Sequence, residues 1–157
     1  MYLRGTHPLT PPTCPPLLTS ADLFKGKVVL FGVPGAFTPG CSNTHLPGYI
    51  AKADELKAAG VNEIVCVSVN DPFVMAAWGK AHGADNKVRM IADTNATFTK
   101  ALGLDLDLTA VLGSVRSKRF SALVVDGVIK SINVEPDNTG LTCSLADGAV
   151  KMLKELK

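Results

Sequence analysis

The 157-residue chain has little net charge, few cysteines and no long apolar run, and each shortage excludes a class of function. A formal charge of +2 is too small for the electrostatic footprint of a nucleic-acid binder. Four cysteines, Cys14, Cys41, Cys66 and Cys143, are too few and too scattered for a small secreted disulfide scaffold. The uncharged stretch Gly5 to Ala21 is long enough to suggest a membrane span, but it holds five of the ten prolines (Pro8, Pro11, Pro12, Pro15 and Pro16). It therefore forms no transmembrane helix, and it also lacks the continuous apolar core of a secretory signal. Arg4, several threonines and the absence of an acid before Asp22 faintly resemble a transit peptide. The residues favour instead an atypical, mobile Pro-rich segment over 1–20, ahead of a single domain over 21–157. The C-terminal Glu-Leu-Lys carries no address. There is no Cys-x-x-Cys, zinc-type His/Cys spacing, Walker loop or Gly-x-Ser-x-Gly elbow, so no metal or other cofactor is expected. Nor is a nucleic-acid or membrane partner.

What is present is a domain with 46% hydrophobic and 19% charged residues, enough to bury a core. Val28 to Val33 and Ile64 to Val69 are short apolar runs that read as buried strands. Residues 41–59 read as a helix kinked at Pro47 and ended by Gly60. Asn70-Asp71-Pro72 caps a helix running to about His82. A third strand spans Val88 to Ala92, and a short helix spans Asn95 to Leu102. Phe120 to Val125 and Val128 to Val134 flank Asp126-Gly127, a two-residue hairpin signal. Ser144 and Asp147 are placed to open a final helix. The order β-α-β-α-β-α-β-β-α predicts an α/β fold of thioredoxin-like outline, a mixed central sheet flanked by helices.

The richest segment is Pro34-Gly-Ala-Phe-Thr38-Pro-Gly40-Cys41-Ser-Asn-Thr-His45. A strand ends, a Gly/Pro loop follows, and a cysteine opens the next helix, where unpaired N–H groups favour a thiolate. Amides near Gly40 and Cys41 could hold an anionic oxygen beside the sulfur. The Thr38 hydroxyl, three residues upstream, could reach that sulfur, and His45 could share its helix face. Within Arg116-Ser-Lys-Arg119-Phe120, one arginine turned inward could stabilise a thiolate and a developing oxyanion.

These segments resemble the peroxiredoxins, thiol peroxidases built on a thioredoxin fold. Pro34-x-x-x-Thr38-x-x-Cys41 matches the family's active-site motif. The strings GVPGAFTPGCSNTHLPGY, VSVNDPFVMAAWGKAHGA, RSKRFS and NVEPDNTGLTCS are similar to the animal type V, atypical two-cysteine branch. The likeness covers residues 21–150 or so, while residues 1–20 depart from the family's usual opening segment.

The resemblance implies that Cys41 is the peroxidatic cysteine, that Thr38 and Arg119 orient peroxide, and that Pro34 shapes the pocket. It further implies that Gly40 and Cys41 offer backbone N–H groups, and that His45 lies beside the site. Cys143 matches the resolving cysteine, with thioredoxin as reductant. Cys66 reads as a buried strand thiol, although plant type II relatives resolve from the corresponding position. Cys14 matches no family thiol. A cytoplasmic enzyme, with a mitochondrial placement as the alternative, is expected as monomer or homodimer. The competing reading is a non-enzymatic thiol sensor or relay on the same fold; a thiol–disulfide oxidoreductase is disfavoured by the missing Cys-x-x-Cys.

Overall fold

A computed structural model describes residues 2–5 and 17–156. Cys14 and the five N-terminal prolines lie outside the described residues. In chain order the elements begin with β1 (Tyr2–Gly5), β2 (Leu17–Thr19), α1 (Ser20–Leu23) and β3 (Lys27–Val33). A π-helical turn (Cys41–His45), α2 (Leu46–Ala51), α3 (Ala53–Ala58), β4 (Glu63–Ser68) and α4 (Pro72–Ala81) follow. Then come β5 (Arg89–Ala92), α5 (Thr97–Ala101), β6 (Asp105–Asp107), α6 (Thr109–Leu112) and β7 (Val115–Ser117). The chain closes with β8 (Phe120–Val125), β9 (Val128–Val134) and α7 (Ala146–Glu155).

Seven strands form one mixed sheet in the order β2-β1-β5-β4-β3-β8-β9, with β3, β4 and β5 parallel and β8 and β9 antiparallel. This is the thioredoxin-like arrangement expected from the sequence. β1 pairs antiparallel with both β2 and β5, so the described parts of the N-terminal segment lie on one edge of that sheet. β6 and β7 form a separate ribbon.

Both faces of the sheet are covered, which is why the apolar runs at β3 and β4 are continuous rather than alternating. Val29, Phe31 and Val33 pack with Leu46, Tyr49, Trp78 and Met152 on one face. Val28 and Leu30 pack with Leu23, Phe98 and Phe120 on the other. Gly32 is needed at the centre of β3, because a Cβ there would come within 2.1 Å of the Phe120 ring. The hairpin expected at Asp126-Gly127 forms with both residues at positive φ, 47° and 80°, as a type I′ turn requires.

Three sequence expectations need correction. The helix over 41–59 is not continuous: it opens as a π-helical turn, passes to α2 at Leu46 and breaks at Lys52. Pro47 has no N–H to give, and the wide turn just before it absorbs the lost bond. The last helix starts at Ala146 rather than Ser144, with no side-chain cap. The Ser144 hydroxyl is instead 2.6 Å from a Glu135 carboxylate oxygen, which takes its hydrogen. The helix expected from Asn95 begins at Thr97, because the Asp93 carboxylate accepts from the amides of Phe98 and Thr99.

Candidate active site

The parallel strands point their C-terminal ends at one edge of the domain, and the loop leaving β3 builds the site there. Pro34 and Gly35 are buried. The Thr38 hydroxyl donates to the Gly35 carbonyl at 2.8 Å, and the Ser42 amide donates to the Thr38 carbonyl at 2.9 Å. Between them Phe37 adopts φ 62°, a left-handed conformation costing a non-glycine residue about 1–2 kcal/mol, and the residue is 55% exposed. The loop thus delivers Cys41, fully buried, to the first position of the π-helical turn. The Ser42 amide is taken by Thr38, so Gly40 and Cys41 carry the first amides of this helix start.

Arg119 comes from the residue before β8 and is held by the turn after β9. Its amide donates to the Asn138 carbonyl at 2.7 Å and its Nε to the Thr139 carbonyl at 2.9 Å. One guanidinium nitrogen, Nη1, then donates to Cys41 Sγ at 3.3 Å and to His45 Nδ1 at 3.2 Å. The other, Nη2, abuts Gly40, where a Cβ would stand 3.1 Å away, so glycine makes room for the guanidinium. Arg116 turns elsewhere, donating to the carbonyls of Val69 and Leu112 and to the Ser114 hydroxyl, and so ties the loop after β4 to the end of α6 and the turn that follows it. Of the basic cluster, Arg119 is the member that reaches the sulfur.

Gly40, Cys41, His45 and Arg119 therefore converge, while the Thr38 hydroxyl bonds Gly35 rather than the sulfur in this structure. His45 and Tyr49 follow Cys41 at four-residue intervals; the Tyr49 ring stacks on Phe31 and the His45 ring meets it edge-on. His45 Nε2 lies 3.0 Å from the Ser144 carbonyl, which also accepts from the Tyr49 hydroxyl at 2.8 Å. With an acceptor at Nε2 and a cationic donor at Nδ1, the ring is the neutral Nε2–H tautomer. Burial pushes His45 down to about 4; the Ser144 carbonyl opposes that shift and the Arg119 charge reinforces it.

Cys143 lies one residue before Ser144, its thiol donating to the Val134 carbonyl at 3.5 Å. Cys41, Cys66 and Cys143 are all free thiols. Cys66 is fully buried in β4, within the same core cluster as Cys41. Burial pushes its thiol well up, and negative charge on Cys41 pushes it further, against the pull of Arg119.

Sequence reasoning missed Glu135, Tyr49 and Ser144. Tyr49 carried a legible signal, the i, i+4, i+8 spacing from Cys41. Glu135 and Ser144 did not, because their partners are brought together by the fold. The Glu135 carboxylate accepts from the amide and hydroxyl of both Thr142 and Ser144. Burial raises its pKa, but those bonds outweigh burial and hold it at about 2.

The site should be acid-labile in two stages. His45 titrates near 6.5 in an unfolded chain and about 4 in the folded one, so stability present above pH 6.5 is lost as pH falls through that window. Glu135, from 4.5 unfolded to about 2 folded, extends the loss below pH 4.5. Thermal unfolding should show Tm falling by about 5 °C or more between pH 7 and pH 4. A flat profile over that range would contradict the neutral, buried His45.

A buried sulfur beside a fixed guanidinium can act as a nucleophile toward an electrophilic oxygen. The Redoxin family profile matches residues 11–150. Over 127 residues the chain is 52% identical to Peroxiredoxin-2B of Arabidopsis thaliana, covering 81% of this chain and 78% of the relative. The chain belongs to the peroxiredoxin family. Among solved structures it resembles reduced Prx3 in complex with hydrogen peroxide from Vibrio vulnificus, with TM-score 0.88 and 45% identity over 97% of this chain and 92% of that one. It also resembles peroxiredoxin 5 from Alvinella pompejana, with TM-score 0.72 and 48% identity over 81% of this chain and 82% of that one. The protein is thus a thiol peroxidase, an oxidoreductase with the family's thioredoxin-like fold. Among the described residues no cluster of His, Cys, Asp or Glu could hold a metal ion, and no helix is long and apolar enough to cross a membrane.

Proposed function

We propose that this peroxiredoxin reduces hydrogen peroxide and alkyl hydroperoxides through Cys41, in the manner of the animal type V branch, with Cys143 resolving and thioredoxin as reductant. The observation that carries the reading is the Arg119 Nη1 to Cys41 Sγ contact of 3.3 Å inside the Pro34–Gly40 loop. The Cys41 thiolate attacks the terminal peroxide oxygen, an S–O bond forms and the O–O bond breaks, and the leaving oxygen takes a proton to become water or an alcohol. Thr38 and Arg119 orient the peroxide. Among the described residues no protein acceptor takes the Nη2 hydrogens of Arg119, which leaves them for an oxygen of the substrate. Pro34 shapes the pocket, the Gly40 and Cys41 amides supply further donors, and His45 holds Arg119 in place.

Cys143 then attacks the Cys41 sulfenic acid, forming the disulfide and releasing water, and a thioredoxin-type dithiol regenerates both thiols. The burial of Cys66 and its raised thiol favour Cys143, the partly exposed cysteine, as the resolver. The catalytic reading rests on residues 21–157, with 1–20 as the segment that departs from the family's opening.

Peptide mapping after one equivalent of hydrogen peroxide should recover a Cys41–Cys143 disulfide, and reduced thioredoxin should be oxidised in step with peroxide consumption. A Cys41–Cys66 bridge would replace this assignment with the plant-type arrangement. Fast Cys41 oxidation without thioredoxin turnover would leave a relay protein.

A further inference from the structure

Glu135 is only 1% exposed, and among the described residues it forms no salt bridge. Its charge is met by four neutral donors: the Thr142 amide at 2.8 Å, the Thr142 hydroxyl at 2.5 Å, the Ser144 amide at 2.9 Å and the Ser144 hydroxyl at 2.6 Å. A buried carboxylate so placed is costly unless every lone pair is used, and here the donors come from the two residues flanking Cys143. The Glu135 amide donates to the Arg119 carbonyl at 3.0 Å, so one residue anchors both the arginine's backbone and the Cys143 segment.

The same segment is tied on its other side. The Ser144 carbonyl accepts from His45 and Tyr49, and the Cys143 carbonyl accepts from the Asn133 side chain at 3.2 Å. Cys143 itself is turned to the Val134 carbonyl. For its sulfur to reach Cys41, the segment 142–144 must give up part of this set, and the carboxylate makes the largest share of it.

We propose that Glu135 is a positioning residue for the resolving step, a latch whose four hydrogen bonds set how often Cys143 is released toward oxidised Cys41. The inference rests on the reading that Cys143 resolves. In that step the Cys143 sulfur bonds to the Cys41 sulfur, the S–O bond of the sulfenic acid breaks, and hydroxide leaves with a proton as water; the peroxide has already supplied the oxidising equivalents. A tight latch prolongs the sulfenic acid, and with it exposure to a second peroxide.

The test is Glu135→Gln, which keeps the shape but replaces an acceptor oxygen with an amino group that opposes the Thr142 or Ser144 donors. Quenched-flow mass spectrometry of the whole protein with hydrogen peroxide separates sulfenic acid from disulfide. Disulfide formation should accelerate about fivefold to tenfold, and irreversible overoxidation at high peroxide should fall in proportion. Thr142→Val removes one donor and leaves the carboxylate paired; it should accelerate the same step about twofold to threefold, and it serves if the Gln variant does not fold. Peroxide attack on Cys41, read in the same experiment, should keep its wild-type rate in both variants, whereas generic damage to the fold would disturb the Arg119–Cys41 contact and slow it. A Cys41–Cys143 disulfide formed at the wild-type rate or slower in both variants overturns the latch. A wild-type map lacking that disulfide overturns the resolving assignment instead.

Discussion

Replacing Arg119 by Met should lower the second-order rate constant for Cys41 oxidation by hydrogen peroxide about a hundredfold to a thousandfold, with the secondary structure retained. The size follows from what the side chain does. Its Nη1 is 3.3 Å from the Cys41 sulfur, and its cation is almost entirely buried, 4% exposed. As the O–O bond breaks, negative charge spreads from sulfur to the departing oxygen, and a donor fixed beforehand needs no reorganisation to meet it. Methionine fills similar space without charge or donors. It would also strand His45 Nδ1, which accepts from the guanidinium at 3.2 Å, so some loss of Tm is expected as well. Arg119→Lys should recover little, since a point charge cannot serve Thr139, His45 and Cys41 in one plane. Stopped-flow oxidation kinetics on folded variants read this directly, and an unchanged rate constant would remove Arg119 from the chemistry.

Cys143→Ala should abolish the intramolecular disulfide and reduce thioredoxin-linked turnover to background, while peroxide still oxidises Cys41. The thiol makes one weak bond, to the Val134 carbonyl at 3.5 Å, and is partly exposed, so its loss should cost little stability. Without a resolving thiol the Cys41 sulfenic acid persists and becomes trappable by a dimedone-type reagent. Retained turnover in this variant, with a bridge to Cys66, would show that the buried strand thiol can reach the sulfur after all.

Much of this was legible in the chain, because local chemistry governed it. The continuous apolar run of β3 reflects a strand covered on both faces, Asp126-Gly127 has the backbone freedom a tight hairpin needs, and the Asp71 side chain accepts from the amides of Phe73 and Val74 as a helix cap should. Cys41 was legible from its place at a loop–helix junction. What escaped was set by partners distant in sequence. Ser144 has the spacing of a capping residue, yet a buried carboxylate nine residues upstream takes its hydroxyl, and the helix starts two residues later. The π-helical turn at Cys41–His45 escaped for a related reason, since periodicity does not reveal one extra residue in a turn. The short β6–β7 ribbon and β1 carried too few residues for a pattern.

The groups around Cys41 enter from widely separated stretches of chain. Arg119 lies 78 residues further on, and Ser144, which fixes His45, lies 99 residues beyond that histidine. During synthesis the sulfur therefore emerges long before its guanidinium, and the carbonyl that orients the histidine emerges later still. Contacts of such separation close late, because the intervening chain must be ordered first. Peroxide reactivity at Cys41 should accordingly appear only when the whole domain is in place, so that the thiol reports completed folding and an immature chain is spared oxidation it has no means to reverse.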